Sequence, residues 1–539
     1  MSSLKDPIRE GLARGWKVLG GRHGTLPRRM QCDVAIIGSG AGAGITAELL
    51  TRAGLSVIMI EEGPLKSSAD FNQLETEAYR DLYQEGAARK TKDKAIGIMQ
   101  GRSVGGSTTV NWTSSFRTPE DTLKFWQSHY GLTEYSTEAL APYFAQAEKR
   151  LNIAPWAVAP NENNAVLARG AAKLGIATET IARNVKGCFN LGSCGMGCPT
   201  NAKQGMLLTT IPGALDAGAT LLVETRAHRL DIGNGHVNHV ECIAVKPNAA
   251  PVNPGGHATT IVARHFVVAG GGINSPALLL RSRAPDPYHR LGRRTFLHPA
   301  TVTTAVMPAP VAGWAGAPQS VCTDHFLNTQ AIDAAIGFKV ETAPMHPVFF
   351  GAQLPGFGAE QNRLFQQFPN ANVLVAILRD GFHEQSPGGA VELNGDGLPV
   401  LDYPLNDYVL DGARRALLAM AEIQFAAGAR TVYPAHEMGT HYASWAEAKK
   451  AIEALPMKPL LTKIGSAHVM GGCGLAATES QGVTRPDGVH WQVDNLSIHD
   501  GSLFPTSVGA NPQLSIYGVV NRLAQGLAQR LTGQNVVLA

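Results

Sequence analysis

The feature that most constrains the fold of this chain is a short apolar run followed at once by a glycine-rich turn. Residues 32–37 read CDVAII, and the segment GSGAGAG starts at Gly38. The run predicts a buried strand, the glycines a tight turn, ITAELLTRAG a helix, and SVIMIEEG a second, parallel strand. These elements in this order make a βαβ unit, so the sequence predicts an α/β fold.

The glycines of this unit match a dinucleotide-binding fingerprint. Gly38-x-Gly40-x-x-Ala43 has the expected spacing, with alanine at the third position. Gly38 permits the turn, Gly40 lets the backbone approach a pyrophosphate, and the helix N-terminus offers N–H groups. Glu61 ends the second strand about twenty residues on, where a carboxylate can bind ribose hydroxyls. A chance glycine turn is the alternative, but the ordered strand, helix, strand and acid favour a dinucleotide site.

Further motifs lie along the rest of the chain. A second glycine-rich loop, QGRSVGGSTTVNWTSSFRTP, starts at Gln100, and a third, VVAGGGINSPALLLRSR, follows a short strand and predicts a helix from Ser275. Near the C-terminal end, GSAHVMGGC contains His468, and Asn511 precedes an amphipathic helix. Residues 300–460 predict alternating strands and loops, then one long helix around 408–428.

Composition excludes several classes of protein. Apolar residues make up 44% of 539, which is enough for a sizeable core and excludes extended disorder. The 46 Lys plus Arg balance 43 Asp plus Glu without any block of like charge, so no nucleic-acid partner is expected. Seven unevenly spaced cysteines favour a reducing compartment. The sequence contains neither the apolar core of a secretory signal nor a membrane-spanning run, which predicts a cytoplasmic or peripheral membrane protein.

The first thirty residues leave two interpretations open. Leu4, Ile8, Leu12 and Trp16 recur every four residues with Lys and Arg between them. This spacing predicts an amphipathic helix, which either packs on its own protein or lies on a membrane surface.

Taken together, these segments resemble the glucose-methanol-choline (GMC) family of flavin oxidoreductases. GSGAGAG with Glu61 is similar to the family's FAD-binding start, GRSVGGSTTVN to its first signature, and GGGINSPALLLRS to its second. Gly272 and Arg283 depart from the second signature, which usually has a small non-glycine residue and a glycine there. DPIREGLARGWKV, STTVNWTSSFRTP and CGMGCPTNAKQ resemble the long-chain alcohol oxidase branch, which implies hydrophobic alcohols as substrates.

The resemblance also implies a fold: a discontinuous Rossmann-like FAD-binding domain and an α+β substrate domain built on an antiparallel sheet. We assign residues 1–30 to an N-terminal segment, and residues 31–120, 200–300 and 460–539 to the FAD-binding domain. Residues 121–199 and 301–459 then form the substrate-binding domain and the cysteine loop.

Alcohol oxidation needs a base for the hydroxyl proton and a partner for the oxygen, while a hydride leaves carbon for the flavin. The resemblance places His468 and Asn511 at the family's catalytic pair, with His468 as the base because imidazole titrates near neutral pH. A structural histidine and an asparagine that caps a helix or turn are the alternatives. Further expected contacts to FAD are Arg102, Gly106, Ser107, Asn111, Asp500 and Gly501, although Asp500 could equally cap a helix and Asn111 form a turn.

Three cysteines are crowded into one segment. Cys188-x5-Cys194-x3-Cys198 precedes Pro199, and three soft ligands suit a three-iron cluster better than a four-cysteine cubane. The spacing resembles the iron-sulfur loop of bacterial FAD-dependent glucose dehydrogenases, where a 3Fe-4S cluster relays electrons to a cytochrome. Buried free thiols, zinc and a disulfide remain alternatives.

The electron acceptor and the reaction class follow from these alternatives. We expect a dehydrogenase that passes its electrons to a cytochrome or another non-oxygen carrier through the cysteines, and the alternative is an oxidase that uses oxygen. The family also implies a different class, a lyase that cleaves hydroxynitriles and keeps FAD only structurally. Apolar side chains for a hydrophobic alcohol are present at Phe349, Phe350, Leu354, Phe357 and Phe365, although such residues are more typical of core than of pocket.

Overall fold

The computed structural model describes residues 4–246, 249–252, 258–354 and 356–538. Its α-helices are α1 (Pro7–Ala13), α2 (Ala41–Arg52), α3 (Glu75–Leu82), α4 (Glu120–Tyr130), α5 (Thr137–Arg150), α6 (Glu162–Lys173), α7 (Thr210–Asp216), α8 (Gly271–Arg281), α9 (Pro347–Gln353), α10 (Gly358–Phe365), α11 (Asp407–Ala426), α12 (Trp445–Ala454) and α13 (Gln513–Thr532). Its strands are β1 (Lys17–Leu19), β2 (Arg29–Ile37), β3 (Val57–Ile60), β4 (Ile96–Ile98), β5 (Ile153–Pro155), β6 (Glu179–Thr180), β7 (Ala182–Asn184), β8 (Thr220–Leu222), β9 (Thr225–Gly233), β10 (His236–Ala244), β11 (Thr259–Val268), β12 (Arg293–Phe296), β13 (Ala300–Val306), β14 (Val321–Cys322), β15 (Phe338–Thr342), β16 (Ala371–Leu378), β17 (Gly389–Leu393), β18 (Pro399–Asp402), β19 (Thr431–Pro434), β20 (Ile464–Ser466), β21 (Met470–Gly471) and β22 (Leu496–Ile498).

The first sheet contains the predicted βαβ unit. Eight strands run in the order β1-β8-β3-β2-β11-β10-β9, and β22 also pairs with β11. The pairs from β1 to β11 and the pair β11-β22 are parallel, whereas β10 is antiparallel to both its neighbours. Strands β2 and β3 are neighbours in the sheet, and Val34 of β2 lies beside Val57 of β3. Both valines are buried, as expected for a parallel sheet covered by helices.

Parallel strands place their carboxyl ends at one edge of the sheet, where α/β proteins bind ligands. Here four different segments end at that edge. Gly38 follows β2, Glu61 follows β3, Gly270 lies two residues after β11, and Asp500 lies two residues after β22. Residues far apart in the chain therefore meet at this edge.

Two antiparallel sheets make up most of the remaining strands. One has the order β15-β16-β13-β20-β4, with β19 also paired to β13, and the other has the order β18-β17-β12-β21. Only the pair β20-β4 is parallel among their described pairings. The predicted combination of a Rossmann-like sheet with an α+β part built on an antiparallel sheet is confirmed. The division of the chain into the domain ranges given above stays a prediction.

The long helix predicted around 408–428 is α11, whereas α9, α10 and α12 in the same region were missed. The helix predicted from Ser275 begins four residues earlier, at Gly271. The reason is a distant carboxylate: Asp500 Oδ2 accepts hydrogen bonds from Gly271 N–H (2.7 Å) and Ser275 Oγ (2.5 Å). Because this acceptor satisfies the first turn, the glycines can join the helix.

The N-terminal helix packs on the protein along part of its length. Ile8 is buried in the same apolar core as the first sheet, and the Trp16 indole donates to Asp216 Oδ1 at the end of α7 (2.7 Å). Leu4 is exposed. Association of this segment with a membrane stays a prediction. In the described ranges, every helix is too short or too polar to cross a membrane.

Candidate active site

One cavity of about 1650 Å³ joins the carboxyl edge of the first sheet to the antiparallel sheets. Its walls include eleven of the twelve residues that the sequence assigns to FAD or to catalysis, namely Gly38, Gly40, Glu61, Arg102, Gly106, Ser107, Asn111, His468, Asp500, Gly501 and Asn511. The twelfth, Ala43, is buried in α2, one residue beyond the part of that helix that borders the cavity. The structure therefore brings the separate motifs to one place.

Two glycine loops abut at the floor of this cavity. Gly106 has a φ of +53°, and a Cβ on it would lie 2.8 Å from the Cα of Gly40. Gly38 has a φ of +109°, and its Cβ would lie 2.3 Å from the Ala269 carbonyl oxygen. Larger residues cannot take these places, so the absence of side chains leaves backbone N–H groups and the start of α2 facing the cavity.

Glu61 is a buried acid at the end of β3. Its Oε2 accepts from Ser39 Oγ (2.5 Å), and its Oε1 accepts from Gly63 N–H (2.7 Å). Burial raises the pKa of this carboxyl to about 7, against the stabilising effect of these two donors. A buried carboxyl beside a glycine cradle suits a ligand that brings hydroxyl donors, as a ribose does.

The first signature loop is held by side-chain contacts within the protein. Arg102 is buried and donates to the Glu62 backbone oxygen (3.0 Å). Ser107 Oγ accepts from Gly101 N–H (2.9 Å), and Asn111 Nδ2 donates to Gln513 Oε1 (2.6 Å). These contacts order the loop along the cavity wall.

Asp500 borders the cavity and connects the segment after β22 to the start of α8. Besides its bonds to the start of α8, its Oδ1 accepts from Ser502 N–H (2.8 Å). Asp500 therefore both caps the start of α8 and borders the cavity. Gly501 lies beside it, and Gly272 faces the same wall, where a Cβ would lie 2.9 Å from Val469 Cγ1. The departure at Gly272 thus lets α8 approach the segment that carries His468.

The predicted catalytic pair lies at the end of the cavity formed by the antiparallel sheets. His468 lies between β20 and β21, and Asn511 lies two residues before the start of α13. His298, for which the sequence suggested no role, also borders the cavity, and its Nδ1 is 3.3 Å from His468 Nδ1. Its backbone N–H donates to the buried carboxylate of Asp380 (3.1 Å). The residues around His298, Phe296–Pro299, gave no signal for this contact, because the partner is 170 residues away.

The electrostatics of the two histidines favour neutral rings. The His468 ring is partly accessible from the cavity but is otherwise surrounded by protein atoms. The resulting loss of hydration lowers its pKa to about 4. Burial lowers the pKa of His298 well below the usual value, with His468 and Arg379 adding to the effect. Since Gly509 N–H donates to His298 Nε2 (3.0 Å), the proton of neutral His298 is on Nδ1 and is directed at His468. The lone pair of neutral His468 is then on its Nδ1.

The Asn511 amide is held in place by a hydrogen bond to a buried acid. Its Nδ2 donates to Glu341 Oε2 (3.1 Å), and Gln319 Nε2 donates to the same oxygen (2.7 Å). Asn511 Oδ1 is buried and has no hydrogen-bond partner among the described residues. A buried carbonyl oxygen beside a cavity is a ready acceptor for a hydroxyl donor.

Apolar side chains form the wall near the histidines. Those bordering the cavity include Trp112, Val302, Phe349, Ala352, Val375 and Ile377. Of the phenylalanines and leucine named above, Phe349 borders the cavity, Phe350 and Leu354 are buried in a separate apolar cluster, and Phe357 and Phe365 are exposed. The wall is therefore suited to an apolar chain.

The three cysteines lie outside the cavity wall. Each is half-buried, and Cys194 Sγ accepts a weak bond from Arg183 (3.7 Å). Burial opposes ionisation of Cys198, but the Thr200 hydroxyl, backbone N–H groups and Lys203 together lower its pKa. Across the described ranges, no group of three or more His, Cys, Asp or Glu residues is placed to hold a metal ion. The predicted 3Fe-4S cluster on Cys188, Cys194 and Cys198 gains no support from this arrangement.

The chain is similar to several known proteins. The family model described as GMC oxidoreductase matches residues 79–300 and 385–519. Long-chain-alcohol oxidase FAO1 of Arabidopsis thaliana is 26% identical, covering 93% of this chain and 68% of that protein, and FAO4A of the same plant is 27% identical, covering 91% and 68%. A formate oxidase variant of Aspergillus oryzae RIB40 has the same fold, with a TM-score of 0.70 at 14% identity over 94% of this chain and 99% of that chain.

Proposed function

The chain belongs to the GMC oxidoreductase family, and from this premise we propose that it oxidises a hydrophobic alcohol to an aldehyde or ketone. It is an FAD-dependent oxidoreductase acting on CH–OH groups. The observation that carries the proposal is that His468 and Asn511 border the same cavity as the dinucleotide-binding loops, next to an apolar wall.

The residues present fit FAD. Gly38, Gly40 and Gly106 form a cradle that a Cβ would fill, and Glu61 offers a buried carboxyl to ribose hydroxyls. When bound, FAD supplies the acceptor for the hydride that leaves the alcohol carbon. The protein then has to take the proton, hold the oxygen and exclude water.

His468 takes the hydroxyl proton. Its low pKa keeps the ring neutral, so it has a lone pair available at physiological pH. That lone pair faces His298, so the 3.3 Å contact between the rings must open when the proton is accepted. Asn511 holds the substrate oxygen through the second N–H of its Nδ2, because the single hydroxyl proton is donated to His468 and the first N–H is donated to Glu341. Loss of a hydride from carbon and a proton from oxygen leaves the carbonyl product.

The substrate class is supported by the apolar wall and by the relatives. The side chains of Val302, Phe349 and Val375 favour an alkyl chain over a sugar, which would leave its hydroxyls without partners there. The two plant relatives are named long-chain-alcohol oxidases. We therefore expect oxidation of dodecanol to be much faster than oxidation of ethanol or glucose.

Two electron acceptors are compatible with this chemistry. Oxygen is favoured by the names of the relatives. A non-oxygen acceptor, reached through a cluster on Cys188, Cys194 and Cys198, is supported only by the spacing of the cysteines in the sequence. Iron and acid-labile sulfide in anaerobically purified protein test the relay, and their absence would leave oxygen or a diffusible carrier.

The experiment that tests the function measures aldehyde, oxygen uptake and peroxide with dodecanol, ethanol and glucose, with and without a dye acceptor. Equal amounts of aldehyde and peroxide from dodecanol are the expected result. Aldehyde formed only with dye would favour a dehydrogenase. Cleavage of a hydroxynitrile without any redox change would establish the lyase instead, and no turnover of any alcohol would refute the proposal.

A further inference from the structure

A buried acid lies directly behind the predicted catalytic asparagine. Glu341 is on β15, in the antiparallel sheet, and its side chain is completely buried. It does not itself border the cavity, whereas Asn511 and Gln319, which contact it, do. Burying a carboxyl costs free energy unless its oxygens accept hydrogen bonds, so the donors that Glu341 receives indicate its role.

One oxygen of Glu341 receives two donors. Asn511 Nδ2 donates to Oε2 at 3.1 Å, and Gln319 Nε2 donates to the same atom at 2.7 Å. Gln319 is itself fixed, because its Nε2 also donates to the Thr342 backbone oxygen (3.0 Å) and its Oε1 accepts from Ser114 Oγ (2.6 Å). The acceptor that Asn511 finds is therefore part of a rigid network rather than a mobile side chain.

This network sets which way the Asn511 amide faces. Rotating the amide by half a turn would bring Asn511 Oδ1 against Glu341 Oε2, where two acceptors would repel each other. In the observed orientation, Oδ1 and the second N–H of Asn511 are left for another partner, and Oδ1 has none among the described residues. Glu341 Oε1 is likewise buried without a partner in this part of the structure.

We infer that Glu341 is a positioning residue of the alcohol-oxidation site, holding the Asn511 amide so that its second N–H meets the substrate oxygen. This inference rests on the proposed function. Glu341 touches neither the cavity nor the substrate and acts only through Asn511. Its carboxylate form is the better acceptor for the two N–H groups, because charged acceptors make stronger hydrogen bonds.

Several charged groups surround Glu341. Lys339 on the same strand pairs with Asp324, and Cys322 on β14 lies near both. Burial raises the pKa of Glu341 to about 7, although Lys339, Asn511 and Gln319 favour its ionised form. The positioning effect should therefore strengthen as the pH rises through about 7, where the carboxylate forms.

The test compares Glu341→Gln with Glu341→Leu in the FAD-loaded protein. Anaerobic flavin reduction by dodecanol is followed from pH 5.5 to 9. Glu341→Leu removes the acceptor, so we expect reduction to slow on the order of tenfold with unchanged FAD content. Glu341→Gln keeps an oxygen for both donors, so it should stay near the wild-type rate while losing the rise near pH 7. Glu392→Gln, an exposed glutamate on β17 paired with Lys92, is the control.

Three results would overturn the inference: reduction of Glu341→Leu at the wild-type rate, a Glu341→Gln protein as slow as Glu341→Leu, or a rise near pH 7 that survives in Glu341→Gln. If Glu341→Leu does not fold, the pH profile of Glu341→Gln still decides. Failure of the proposed function looks different, because the wild-type flavin itself would then not be reduced by any alcohol.

Discussion

At the scale of single residues, the proposed reaction depends on a neutral His468 ring and on the orientation of the Asn511 amide. That His468 and Asn511 border one cavity could be predicted, because each lies in a local motif that resembles a family signature, whereas their catalytic roles stay a prediction. Their partners could not, because His298, Gln319 and Glu341 come from other segments and have no motif of their own. A sequence motif shows only residues that are close in the chain, whereas contacts between distant segments depend on how the fold packs.

The low pKa of His468 gives a pH prediction. The neutral imidazole accepts the proton, and protonation removes that ability, so flavin reduction should slow as the pH falls through about 4. Brief pH jumps with anaerobic mixing measure this limb before the protein unfolds. His490 is a matched control, since burial also lowers its pKa to about 4 but it does not border the cavity. If His490→Gln loses the fall in the rate of flavin reduction near pH 4, the titrating group is His490 and the prediction for His468 is wrong.

At the scale of elements, loops and helix ends border the part of the cavity that we assign to FAD. The βαβ unit was predicted correctly because its signals are local: apolar runs, glycines and one terminal acid. The start of α8 was predicted four residues late, because its first turn is stabilised by Asp500, which is 229 residues away from Gly271. Helices α9, α10 and α12 were missed in a region where the sequence indicated strands and loops.

The contact between two glycine loops gives a prediction for cofactor binding. Gly106→Ala would place a Cβ 2.8 Å from Gly40 Cα, so the loops must separate and FAD content should fall sharply. Gly175→Ala is the control, since Gly175 also has a positive φ (+71°) but open space around it. Flavin absorbance per protein in purified samples is the measurement. Full FAD content in Gly106→Ala would contradict the close approach.

The end of α8 gives a prediction for stability. Arg283 follows this helix with a φ of +53°, at a position where the second family signature usually has glycine. Arg283→Gly removes the strain, so we expect a gain of about 0.5–1 kcal/mol in the free energy of unfolding by urea. Lys173→Gly, at the last residue of α6, should instead cost about 1 kcal/mol. A loss of stability in Arg283→Gly would show that the arginine side chain outweighs the strain.

At the scale of the whole molecule, catalysis depends on two parts of the fold that meet around one cavity. The first sheet supplies Gly38, Gly40 and Glu61, and the antiparallel sheets supply His468 together with the apolar wall. The parallel and antiparallel parts were predicted, since strand patterns and the family resemblance indicate them. The size of the cavity was not predicted, and of the five apolar residues named from the sequence only Phe349 borders it, because the lining depends on how the sheets pack.

The most direct test of the central claim is anaerobic mixing of the FAD-loaded protein with dodecanol while flavin absorbance and aldehyde are measured. In the wild type, the oxidised flavin spectrum should be lost with one aldehyde formed per flavin. In His468→Ala, the flavin should stay intact and unreduced over the same time. A wild-type flavin that no alcohol reduces, or a His468→Ala protein reduced at the wild-type rate, would contradict this claim.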